Sequence, residues 1–226
     1  MSECLQEVVA VAKRRRVGNL LALAILSQLS AGPPMHPYEI ATVLKRTGKD
    51  TDMNIKWGSL YTVVGNLEKY GLIQATTSGR EGRRPERTVY KITEAGRAEL
   101  RDWMRELLAV PDPEFPRFQA ALSEMSVVPP DEVTALLEQR LAALDDDIAA
   151  QRAALRQLTQ LPRVFLVEAE FAVAMRQAEA DWTRALLAEM AAGTLSGIDG
   201  WRAYHETGEL PPELAEMLAE GGLPAE

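Results

Sequence analysis

Four arginines, Arg80, Arg83, Arg84 and Arg87, fall within eight residues in the stretch SGREGRRPER. A guanidinium is permanently charged and offers a fork of donors that fits phosphate oxygens. Arginine is also drawn into a narrow minor groove by its negative potential. Such a cluster is either a nucleic-acid contact or a solvated charged loop, and its neighbours decide between them. Upstream, Ser59, Thr62, Asn66 and Lys69 recur at spacings of three, four and three, which places them on one face of a helix. An asparagine on such a face can pair bidentately with an adenine edge, and a threonine can meet a base or a thymine methyl. Lys69 and Ser59 suit phosphates better, as does Lys56 just ahead of the helix. Tyr61, at the flank, either reaches a phosphate with its hydroxyl or packs its ring against the preceding helix. The alternative for the whole set is the ordinary wet side of an amphipathic helix. The densest basic run, Lys13 to Arg16, offers further phosphate contacts or forms the solvated end of an N-terminal helix.

Little else in the chain points to chemistry. The two histidines, His36 and His205, are separated by most of the sequence and have no cysteine cluster beside them, so no metal site is expected. His36 reads as a helix-start residue. Asp145, Asp146 and Asp147 point in different directions on a helix and read as a solvated face rather than a cation site. Trp103, Trp182 and Trp201 either line an effector pocket or serve as core and interface aromatics. Cys4 is the only cysteine, so no intrachain disulfide can form. No nucleophile–base pair, phosphate loop or metal cluster is recognisable, so no catalytic residue, cofactor or enzymatic activity is expected.

The elements that must position the basic and polar residues follow from periodicity. LLALAIL is apolar on nearly all sides and predicts a buried helix over about Val17–Leu29, stopped by Gly32-Pro33-Pro34. Pro37 suits the first turn of a second helix, with Tyr38, Ile40, Ala41 and Leu44 facing inward. Ser59 is a fitting N-cap for a third helix, whose core face is Leu60, Val63, Val64 and Leu67. LIQATT and TVYKIT alternate and are rich in β-branched residues, so they read as two strands flanking the arginine-rich tip. Thr93 caps a fourth helix from Glu94 to Leu108. The order is that of a winged helix-turn-helix, in which a recognition helix and a basic hairpin lie side by side.

Charge divides the chain in the same place. Residues 1–108 carry 17 Lys and Arg against 12 Asp and Glu, a net of +5, whereas residues 109–226 carry 8 against 21, a net of −13. Only the first half is suited to approach a polyanion, and the acidic half is repelled from it. Pro111, Pro113 and Pro116 mark a linker. The expected organisation is a basic extension over 1–16, the winged domain over 17–108, the linker over 109–117 and a helical domain over 118–226. In that last region Leu137, Leu141, Leu144, Ile148, Leu155 and Leu158 form a coiled-coil-like seam interrupted by Gln151. After Pro162, a second helix over about Val164–Met190 has an apolar face of Val164, Val167, Phe171, Ala174, Ala178 and Trp182. A lone helical pair cannot easily bury both stripes. A homodimer is therefore expected, with the seam and Val167, Phe171 and Trp182 at its interface. A short helix near Glu213–Leu218 is the one element expected in the tail. No run of about 18 apolar residues is present, and basic residues follow the first apolar stretch, the reverse of a secretory signal. A cytoplasmic protein with no membrane association is expected.

Three blocks carry a resemblance. LLALAILSQLSAGPPMHPYEIA, GSLYTVVGNLEKYGLI and REGRRPERTVYKITEAGR together make residues 1–108 resemble the PadR family of bacterial transcriptional regulators. The combination of Tyr61, the arginine-rich wing and the TVYKITEAG exit is the specific part. HPYEIA departs from the glycine that follows the histidine in many relatives, and proline suits the helix start equally well. The resemblance implies a mainly α protein: a winged helix-turn-helix with a two-stranded wing, then an α-helical dimerisation domain. It also implies a homodimer on a palindromic double-stranded DNA operator, and repression relieved by a small-molecule effector. The C-terminal half offers no effector motif, and a winged helix that has lost DNA binding and serves protein interaction is the other class to weigh.

Overall fold

The run LLALAIL forms the centre of the first unit. The computed structural model describes residues 15–49, 53–77, 88–111 and 114–209. Helix α1 spans Leu20–Ala31. It begins after the expected Val17 because Asn19 caps it, its side chain accepting from the Leu21 N–H at 2.7 Å. Leu21 through Leu26 and Leu29 are all buried, as suits a helix that is apolar on nearly every side. Helix α2 (Pro37–Arg46) starts at His36, whose ring accepts from the Tyr38 N–H while Glu39 accepts from the His36 N–H at 2.9 Å. This reciprocal arrangement satisfies two donors left over at the helix start. Ile40, Ala41 and Leu44 face the core, but Tyr38, expected beside them, is 70% exposed. It lies two residues from Ile40, roughly 200° around the helix, so it points nearly the opposite way.

Helix α3 (Leu60–Lys69) buries Leu60, Val63, Val64 and Leu67, the four residues its periodicity selects. Strands β1 (Ile73–Thr77) and β2 (Thr88–Ile92) pair antiparallel from Ile73↔Ile92 to Thr77↔Thr88. Met35 adds a one-residue bridge to this sheet through two hydrogen bonds with Tyr90, at 3.0 and 2.9 Å. Helix α4 (Glu94–Ala109) starts at Thr93, whose hydroxyl oxygen accepts from the Gly96 N–H at 3.0 Å. The same hydroxyl lies 2.7 Å from the Gly71 carbonyl, joining the helix start to the end of α3. Gly96 allows the close approach this requires. A Cβ there would stand 2.0 Å from the Leu72 carbonyl oxygen and 2.8 Å from Ile92 Cγ1. Backbone cannot yield as a flexible side chain does. We therefore expect Gly96→Ala to destabilise the unit by about 3 kcal/mol, the upper end for overpacking, as a drop in the denaturation midpoint; an unchanged midpoint would refute the packing described.

The chain divides into two units, Met1–Glu114 and Phe115–Glu226. In the second, α5 (Arg117–Ser123) precedes two long helices, α6 (Pro130–Gln157) and α7 (Val167–Ala192), and then α8 (Ile198–Thr207). The long helices run antiparallel, since Val133 and Leu137 cluster with Met190 while Ile148 clusters with Val173 and Ala180. Helix α6 begins seven residues before Leu137, at Pro130, whose fixed φ and missing N–H suit a first helical position. Periodicity does not single out helices α5 and α8. The first is a single short stretch after prolines, and the second hides between Gly197 and Gly208 in a segment whose composition suggests a loose tail.

The helical pair also corrects which stripes face inward. Leu137 and Ile148 are 5% and 3% exposed, and Leu141, Leu144 and Leu155 pack against the same interior clusters. These residues, expected at a dimer interface, are held within their own chain. Leu158 lies past the end of α6, exposed. On α7 the buried residues are Val173, Ala180, Thr183 and Met190, and the expected face is the outer one. Val164 precedes the helix in a short 3-10 turn, and Val167, Phe171, Ala174, Ala178 and Trp182 are all exposed. Ala180 and Thr183 are small enough to let the two long helices close together. Asp145 and Asp147 are not simply solvated either: they form ion pairs across the pair with Arg184 and Arg176.

Candidate nucleic-acid interface

Packing of one face of α3 leaves the other free. Tyr61 is 66% exposed, and Thr62, Gly65 and Lys69 are exposed with it. Asn66 is half-buried at the edge of this surface. The ring of Tyr61 therefore does not take the packed alternative open to it from sequence. Ser59 is not the side-chain cap expected. It closes a 3-10 turn, Trp57–Ser59, and its hydroxyl donates to the Lys56 carbonyl at 2.8 Å. Lys56 is exposed, with its ammonium 3.0 Å from the Asn54 side-chain oxygen. Lys69 reaches over the Tyr70 ring at 5.7 Å and Lys45 over the Trp57 ring at 4.9 Å. Aromatic faces thus hold two lysines near the helix-turn-helix without neutralising them.

Two residues of this surface escaped the sequence reading. Tyr38 occupies the second position of α2, as Tyr61 does of α3, and both phenols are outside the core. Gly65 stands in the interior of α3, and a Cβ built on it would meet nothing within 4 Å. Glycine there costs helix stability, about 1 kcal/mol against alanine. No neighbour among the described residues requires it.

The sheet fixes α3 from below. Tyr90 on β2 hydrogen-bonds Glu68 of α3, and burial followed by the charge of that carboxylate pushes the Tyr90 hydroxyl above its ordinary pKa. A neutral phenol donating to a carboxylate joins α3 to the strand pair. The segment joining the paired residues Thr77 and Thr88 carries Arg80, Arg83, Arg84 and Arg87, which lie outside the described residues, as do Cys4, Lys13, Arg14 and the expected helix at Glu213–Leu218.

Of the basic run, Arg15 takes neither role expected of it. Its side chain is 4% exposed, bonded to Glu99 and Glu106 with Asp102 at 3.6 Å, and stacked over Trp103 at 5.3 Å. Burial alone would lower its pKa, but hydrogen bonds to Glu99 and Glu106 and their charges outweigh burial and hold it above the ordinary value. Arg15 is thus a clamp between the N-terminal segment and α4. Arg16 is exposed and lies over the Tyr70 ring at 5.6 Å. Of the tryptophans, Trp103 is core, Trp201 donates to the Val128 carbonyl at 3.0 Å, and Trp182, exposed, meets Phe118 edge-on at 6.2 Å. His205 bonds the Ser126 carbonyl at 2.9 Å. Among the described residues no three His, Cys, Asp or Glu gather where they could hold a metal, and no helix is long and apolar enough to cross a membrane.

Residues 25–102 match the model of the Transcriptional regulator PadR-like family. No curated protein matches the chain significantly. Among solved structures, Bacillus subtilis PadR in complex with operator DNA aligns with a TM-score of 0.61 at 21% identity, over 76% of this chain and 99% of that one. The same protein in complex with p-coumaric acid aligns at 0.60 and 20% identity, with the same coverage. The Vibrio cholerae virulence activator AphA aligns at 0.56 and 21% identity, over 76% of this chain and 98% of that one. At these identities the likeness is one of fold.

Proposed function

We propose, from the premise that the winged-helix unit of this chain belongs to the PadR-like family of transcriptional regulators, that the chain is a sequence-specific DNA-binding regulator acting as a homodimer. Thr62 and Asn66 read base edges in the major groove, while Lys56, Ser59, Tyr61, Lys69 and the wing arginines Arg80, Arg83, Arg84 and Arg87 hold phosphates or enter the minor groove. Arg83 and Arg84 lead among the four, since Arg87 has Glu86 beside it in sequence. Two copies place their α3 helices on a two-fold operator, at half-sites about one helical turn apart or a multiple of it. The outer stripe of α7, Val167, Phe171 and Trp182, is the dimer contact. The buried seam on α6 supports that stripe from within. The reading extends to repression relieved by a small-molecule effector. Operator DNA and p-coumaric acid, each bound by the Bacillus subtilis relative, are the precedents for those two ligand classes.

The observation that carries the proposal is Gly65 on the open face of α3. A residue that weakens its own helix and relieves no crowding among the described residues is explained by a close external approach, here the wall of a DNA groove. The test has two arms of opposite sign. Gly65→Ala should stabilise the fold by about 0.5–1 kcal/mol, because alanine is the better helix former. The same change should weaken binding to a duplex chosen by selection from random sequence by about 1–3 kcal/mol, the cost of a methyl forced into a close-packed contact. A variant that is more stable and binds DNA as well as the parent would remove α3 from the interface.

A further inference from the structure

We infer that Tyr90 is a positioning residue for DNA binding: its hydroxyl holds the Glu68 carboxylate against the strand pair and away from the phosphates that α3 approaches. The inference rests on the proposed role of α3 at duplex DNA. Glu68 follows Tyr61 by seven residues and Gly65 by three, so it shares the open side of α3 with them, and it is exposed. It also lies in the last turn of that helix. A carboxylate is doubly misplaced there. The C-terminal end of a helix carries partial negative charge, and duplex DNA presents one phosphate charge for about every 1.7 Å of its axis. The residues three and four away along the chain, where a helix would supply a balancing cation, are Val64, Gly65, Gly71 and Leu72.

The compensation comes from the sheet, where Tyr90 hydrogen-bonds Glu68. Tyr90 is fixed on both edges of its strand. It pairs with Ala75 of β1 on one side. On the other its N–H donates to the Met35 carbonyl at 2.9 Å, and its carbonyl accepts from the Met35 N–H at 3.0 Å. Alternation along β2 puts the Tyr90 side chain on the same face as Ile92. Ile92 is buried in the first core cluster, and Tyr90 packs against that cluster. The ring is therefore held at its base, and its hydroxyl is a donor at a set place. A phenol donating to a carboxylate makes a charge-assisted bond, which draws Glu68 toward β2 and ties down α3 in the same contact.

The test titrates the full chain with a duplex selected from random sequence, as parent, Tyr90→Phe, Glu68→Gln and the double variant, at low and high salt. Phenylalanine keeps the ring on the core, and folded fractions from denaturation curves put the affinities on one footing. Tyr90→Phe should weaken binding about tenfold at low salt and less at high salt, because the loss is a screened repulsion. Glu68→Gln should bind at least as tightly as the parent. Added to Tyr90→Phe, it should restore the affinity, since no charge is left to misplace. A purely structural role for Tyr90 would give a loss that salt does not change and glutamine does not rescue, and either result would overturn the inference. So would a Tyr90→Phe variant that binds like the parent. Weaker binding by Glu68→Gln, with a relaxed preference at one base pair, would overturn it by making Glu68 a reader of cytosine. Each of these leaves the proposed function standing, whereas a parent that selects no duplex removes both.

Discussion

Trp103→Ala is expected to cost the winged-helix unit about 3–5 kcal/mol, the range for deleting a large buried aromatic. Trp103 is 5% exposed and belongs to the first core cluster, on a helix that packs against α1. It also forms the floor beneath Arg15, whose Nε is buried without a hydrogen-bond partner. Removing the ring leaves a cavity and takes the aromatic face away from a desolvated guanidinium. A domain of this size has only about 5–15 kcal/mol to lose. The variant should show a sharply lowered midpoint in denaturant, and its DNA affinity should fall with the folded fraction. Trp103→Phe should retain most of the stability. An alanine variant with a parental midpoint would mean that α4 is not anchored through this residue.

The second large effect concerns the outer stripe of α7. Phe171 and Trp182 are 67% and 48% exposed in the single chain, so replacing both with glutamate should leave the secondary structure of the chain intact. If the stripe joins two copies, the charges are trapped against a partner and the dimer gives way to monomers by light scattering. Breaking the link between the two half-sites should lower operator affinity at least about 100-fold, since avidity of this kind is worth 10²–10⁴. A double variant that remains dimeric would move the interface elsewhere, and a parent that is monomeric at micromolar concentration would remove it.

Residues whose role is set locally were legible in the sequence. The core face of α3, the start of α2 at His36-Pro37 and the Thr93 cap all depend on neighbours within one or two helical turns. Two readings failed, one where partners are distant and one where a local turn intervenes, and one helix offers two stripes. Arg15 sits in a basic run that suggests phosphate or solvent, yet its acidic partners lie 84 to 91 residues away. Helix α7 has two stripes at helical spacing. The stripe with Ala180 and Thr183 packs on α6 because small residues let the helices approach, and the bulkier one, expected at a dimer interface, lies outside. Ser59 has the composition of a cap, and the preceding 3-10 turn redirects its hydroxyl to the Lys56 carbonyl. Gly65 carries no sequence signal; only its surroundings show that nothing among the described residues needs it.

The central claim is that α3 and the wing hold duplex DNA, and one titration tests it most directly. The affinity of the full chain for a selected duplex is measured across a series of salt concentrations, beside an Arg83→Ala/Arg84→Ala variant. The account predicts tight binding at low salt and a linear fall of log affinity with log salt. In the variant the slope should shrink by about 0.9 for each phosphate that a wing no longer neutralises. No retention of the parent on DNA at low salt, or a variant whose affinity and slope both equal the parent's, would contradict it.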